Sequence, residues 1–156
     1  MKRNIAPTTL MLIAFATFVL SVVPTMQAQC SQSGVAGQWG FSSTGTILSV
    51  VPGPFGAVGR FTLDAAGNIT HGNQTANIAV TIDPETLTGT ITVNPDCRAT
   101  ATVDVKGVVA RMTTLDAVFV DNMTAFRAIF TSVTLAGPLS VSTVITVDGK
   151  KLFPED

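Results

Sequence analysis

The chain has 156 residues and nearly balanced charge, 9 Lys+Arg against 10 Asp+Glu. Charged residues make up only 12% of it and hydrophobic ones 46%, a balance that excludes a disordered chain. With no basic surplus to neutralise phosphates, electrostatic nucleic-acid binding is excluded as well, and the length is that of one domain.

Lys2-Arg3 open the chain, and an apolar run follows from Leu10 to Val23, broken only by Thr17 and Ser21. Pro24 ends the run, and Ala28 offers a small-residue exit. This pattern describes a secretory signal over 1–28, leaving a single domain over 29–156. The run is shorter than the about 20 residues a membrane span needs, so no stable span is expected after cleavage. Gln29, not a small residue, stands directly before Cys30, which counts against lipid attachment there. Secretion or a periplasmic location follows, and the exported domain, without Lys2 and Arg3, is mildly acidic. Cys30 and Cys97 are the only cysteines. An oxidising compartment favours their pairing, and closing so long a loop stabilises by about 4 kcal/mol through the unfolded chain.

From Trp39 onward the dominant period is two. Gly53–Gly59 is glycine-rich and reads as a loop that places an exposed Phe55 at an apolar entrance. Phe61 and Leu63 then alternate with Arg60, Thr62 and Asp64. Asp64–Asn68 supplies a corner in which Gly67 suits a positive φ, and His71 follows in a polar stretch. Asp83-Pro84-Glu85 and Asn94-Pro95-Asp96 read as turns, with Asp83 and Glu85 solvated. Between and after them, Ile91 and Val93 alternate with threonines, and Ala99, Ala101, Val103 and Val105 share one face. Asp121-Asn122 marks a tight hairpin before Thr124, Phe126, Ala128 and Phe130. Leu139, Val141, Ile145 and Val147 continue the pattern, with breaks at Gly137-Pro138 and Asp148-Gly149. No amphipathic helix is expected between Trp39 and Val147. The fold predicted is all-β: an antiparallel up-and-down barrel of about eight strands, with a two-sheet sandwich as the alternative.

The segments CSQSGVAGQWGF (Cys30–Phe41), AVGRFTLDAAGNIT (Ala57–Thr70) and GTITVNPDCRATAT (Gly89–Thr102) carry a family resemblance. The chain resembles small exported bacterial proteins, largely uncharacterised, whose architecture is similar to the allene oxide cyclase and dirigent β-barrels. Matching positions include Cys30, Gly40, Phe41, Gly59, Arg60, Asp64, Gly67, Asn68, Gly89, Asp96 and Cys97, and the match fades beyond Val105. The resemblance implies a bacterial host, a barrel and Cys30–Cys97 pairing. It transfers no activity.

Catalytic signatures are sparse. His71 is the single histidine, and no G-x-S-x-G nucleophile elbow accompanies it. One histidine and two paired cysteines leave no zinc ligand set, the EF-hand spacing is absent, and no metal or cofactor is expected. Arg60, Arg98, Asp104 and Arg127 alternate away from the apolar face, so an interior poor in acid–base groups is expected. That inner face offers Phe61, Phe119, Phe126 and Phe130 with small Ala99, Ala101, Ala117 and Ala128 between them. With Phe55 these phenylalanines are the candidate ligand-binding residues, whether the interior is solid or hollow. Val118 and Val120 add apolar surface outside, a motive for homo-oligomerisation. The reading that follows is a non-catalytic exported barrel binding a small apolar molecule or an envelope component. The alternatives are a cyclase- or isomerase-like enzyme and a purely structural envelope protein.

Overall fold

A computed structural model describes residues 29–79 and 81–153; the expected signal segment lies outside the described residues. Nine strands run in chain order: β1 (Gly37–Ile47), β2 (Gly53–Leu63), β3 (Asn68–Ile78), β4 (Thr81–Val93), β5 (Arg98–Lys106), β6 (Arg111–Val120), β7 (Ala125–Leu135), β8 (Leu139–Ser140) and β9 (Thr143–Lys151). Each of β1 to β7 pairs antiparallel with the next. β9 then pairs with both β7 and β1, closing an eight-stranded barrel, and the two-residue β8 lies against the end of β7. Closure leaves no long free edge, and it rules out the two-sheet sandwich. No helix occurs among the described residues.

Side-chain alternation puts Trp39, Phe61, Leu63, Ala99, Phe119, Phe126 and Val147 into one buried cluster in the lower half of the barrel. Trp39 sits at its centre, fully buried, with ring centroids 5.6 Å from Phe119 and 5.4 Å from Phe126. Burying one such aromatic contributes roughly 1.5–3 kcal/mol. The segment before β1 seals this end. Val35 is fully buried and its carbonyl accepts the Trp39 indole N–H at 2.9 Å. The Cys30–Cys97 disulfide, spanning 67 residues, ties the seal to the turn between β4 and β5.

Local chemistry explains the turns at the sealed end. Asp64 Oδ1 accepts the amides of Ala66 and Asn68, its Oδ2 accepts the Asn68 side-chain amide, and Gly67 takes φ 92°. The β6–β7 connection is Asp121–Thr124, one residue longer at its end than the strand pattern implied. Thr124 belongs to this turn, its hydroxyl donating to the Asp121 carbonyl at 2.6 Å. Two bulges bend the wall. One lies in β3 between Ile69 and Gly72, where exposed His71 takes φ 49°; the other puts Thr131 of β7 opposite the step from Thr114 to Leu115 of β6. Each flips the parity of the following residues, so that Gln74 and Val133 face inward.

Three stretches expected as loops or breaks are strands. Gly53–Gly59 opens β2, and Phe55 is buried, not exposed. Asp83-Pro84-Glu85 belongs to β4, with both carboxylates buried. Pro84 is tolerated because β4 pairs with β5 only from Thr86 onward, so Thr81–Glu85 has a neighbour strand on one side alone. Asp148-Gly149 lies inside β9, where the glycine lets the Phe126 ring lie directly against the backbone.

Candidate functional site

Above the Trp39 cluster, and bordered by its phenylalanines, the barrel is hollow. An inner chamber of about 90 Å³ is walled by Phe61, Phe119, Phe126 and Phe130 together with Ile69, Leu87, Ile91 and Leu115. Small Ala101, Ala117 and Ala128 on the same wall leave the space that larger residues would fill. Nearer the open end lies a vestibule of about 220 Å³, lined by Phe55, Ile47, Ile78, Val133, Ile145 and the loop residues Val50, Val51 and Val108. Arg111 and Phe130 line both spaces and so stand where the two meet. The five candidate phenylalanines therefore all face the lumen: Phe61, Phe119 and Phe126 the chamber, Phe55 the vestibule, and Phe130 both. Phe55 and Phe130 stand 6.2 Å apart between ring centroids.

The interior also holds charge, contrary to the expectation of an inner face without acid–base groups. β4 points Asp83 and Glu85 inward, β6 points Arg111 and Thr113 inward, and β3 contributes Gln74; all five are buried. Arg111 and Glu85 form a bidentate ion pair, with Nη2 donating to Oε2 at 2.8 Å and Nη1 to Oε1. Gln74 Nε2 donates to the same carboxylate at 2.5 Å, and a further Arg111 N–H reaches the Val109 carbonyl at 3.1 Å. The guanidinium lies 6.0 Å from the Phe55 ring centroid. This pairing makes a buried Glu tolerable, since an isolated carboxylate in so apolar a space carries a desolvation penalty of several kcal/mol. Asp83 is held separately, its Oδ2 accepting the Val108 amide at 2.7 Å. Thr113 differs from the rest: its hydroxyl has no hydrogen-bond partner among the described residues.

These polar groups were legible in part. Arg111, Thr113, Leu115, Ala117 and Phe119 share one parity, as do Asp83, Glu85 and Leu87, so the apolar ends of β4 and β6 imply the inward direction of their polar starts.

Among the described residues, the connections at the open end carry no charged residue: Leu48–Pro52, Ala79, Gly107–Ala110 and Ala136–Ser142, which includes the short β8. Val108, Val51 and Leu48 are well exposed there. At the sealed end the turns carry Asp64, Asp96 and Asp121. On the outer wall, Val118 and Val120 are exposed, but Val118 stands in register between Arg98 and Arg127, which interrupts the apolar surface. Arg60 and Arg127 both lie outside, the latter 3.6 Å from Asp148. Among the described residues no group of three or more His, Cys, Asp or Glu side chains is placed to hold a metal.

No protein-family model matches the chain. No curated protein matches it in sequence either. The class the coordinates define is a closed antiparallel β-barrel, sealed at one end by a disulfide-tied segment and hollow towards the other.

Proposed function

We propose that this is an exported carrier that holds a small apolar molecule inside the barrel without transforming it. The observation that carries the reading is the apolar vestibule beside Phe55, whose volume approaches the lower end of the range for small-molecule sites, about 300–1,000 Å³. Uncharged loops around its mouth let an apolar molecule approach without desolvating fixed charges. The disulfide suits an oxidising compartment, and the leader pattern and the resemblance to small exported bacterial proteins point to the periplasm or the exterior of a bacterial cell. Glu85, fully engaged by Arg111 and Gln74, is not free for proton transfer, which favours binding over chemistry. Titration with the dye N-phenyl-1-naphthylamine tests the reading, and saturable fluorescence enhancement that apolar competitors reverse is the expected result. No saturable enhancement, together with a native mass spectrum showing only the bare chain, overturns it.

One observation favours a second reading as a cyclase or isomerase. Asp83 brings a carboxylate to the vestibule wall, where a general base would stand. Product mixtures from epoxide substrates that match the uncatalysed ones remove this reading.

A further inference from the structure

We infer that the ligand is an uncharged molecule with a single oxygen function, a hydroxyl or a carbonyl, at one end of an apolar body. This rests on the carrier reading and names the ligand class for the same cavity. Interior charge excludes an anionic head. Arg111 is already paired with Glu85, and Asp83 adds a second buried carboxyl group, so the lumen offers no unpaired cation. A ligand carboxylate brought there would be desolvated with no free cation to pair with. A cationic head finds one acceptor group, Asp83, at the vestibule wall, but reaches it between Arg111 and the apolar loop residues.

Hydrogen-bond supply points the same way. Thr113 is a chamber-lining residue, and its buried hydroxyl has no partner among the described residues. A hydroxyl is a donor, and buried donors are normally satisfied, so what the site lacks is an acceptor. As part of the same inference, a staggered χ1 rotamer of Thr113 turns its hydroxyl to the chamber when the ligand is bound. A carbonyl or hydroxyl oxygen supplies the acceptor and adds no charge. The volumes set the rest: the chamber of about 90 Å³ takes the oxygen-bearing end, while the apolar body passes Arg111 and Phe130 and fills the vestibule of about 220 Å³.

The test is displacement of N-phenyl-1-naphthylamine from the disulfide-bonded protein by four chain-matched competitors: decane, decan-1-ol, decan-2-one and decanoate. The alcohol and the ketone are expected to compete at least tenfold more tightly than decane and decanoate. In Thr113→Val the preference for the oxygenated compounds over decane is expected to fall at least fivefold, and Thr113→Ser is expected to keep it. Tightest competition by decanoate, or an equal ranking of decane and decanol, overturns the inference and leaves the carrier reading standing. A preference that Thr113→Val does not change also overturns it. Failure of the dye itself to bind saturably is instead the failure of the carrier reading.

Discussion

Replacing Arg111 by methionine leaves the Glu85 carboxylate, whose side chain is wholly buried, with Gln74 as its only side-chain partner. Breaking a buried pair from one side costs about 3–5 kcal/mol, because the remaining charge stays desolvated. For a domain of this size that corresponds to a fall in Tm of about 10–20 °C. Removing both charges in Glu85→Leu/Arg111→Met abolishes the orphaned carboxylate and leaves Gln74 without its acceptor and the Val109 carbonyl without its Arg111 donor, a loss of about 1–3 kcal/mol for each buried group. The double variant is therefore expected to be more stable than the single Arg111→Met chain. Urea unfolding followed by fluorescence measures all three proteins directly, because Trp39 is the only tryptophan, no tyrosine is present, and the ring is fully buried. A single variant within about 1 kcal/mol of the parent, or a double variant no better than the single, refutes the view that this pair is desolvated.

Three further outcomes are expected. Reducing the Cys30–Cys97 bond releases a 67-residue constraint and lowers stability by about 4 kcal/mol in the chain-entropy account, measured by unfolding with and without reductant. Gly149→Ala drives a methyl group into the Phe126 ring and costs about 1–3 kcal/mol, with Trp39 emission shifting as Phe126 is displaced. The Asn68 side-chain and backbone amides, then those of Ala66 and Gly67, hold the Asp64 carboxyl below its ordinary value of 3.8. A depressed carboxyl contributes stability above its unfolded pKa and loses it as pH falls through the lower folded value. Stability of the parent should accordingly decline below about pH 4 more steeply than that of Asp64→Asn, and parallel declines would show that the turn contributes nothing.

The barrel was legible wherever period-two alternation was clean, as in Phe61/Leu63, Ile91/Val93 and Ala99–Val105. It was obscured where a residue with strong turn preference stands in a strand for a reason set by neighbours. Pro84 sits where β4 lacks a second partner, Gly149 sits under Phe126, and the glycines of 53–59 interrupt a stretch whose inward residues are Phe55, Ala57, Gly59 and Phe61. The phenylalanine lining could be named from parity alone. The polar layer was missed because Asp, Glu and Arg are almost never buried unless paired, and the pairing of Glu85 with Arg111 joins β4 to β6 across an intervening strand. Local pattern carries no trace of such a contact. Nor does it carry the two bulges, which reverse parity within β3 and β7 and so decide that Gln74 and Val133 turn inward.

The sealed pole has a geometric consequence for how the molecule can be held. Cys30 is pinned there by its bond to Cys97, and β9 finishes there too, with the Leu152 amide donating to the Gln38 carbonyl at 2.9 Å. Both ends of the described chain thus leave from the base of the cup. Whatever is joined to either end, be it a tether, a fused domain or an affinity handle, grips the cup by its foot and leaves the brim turned outward.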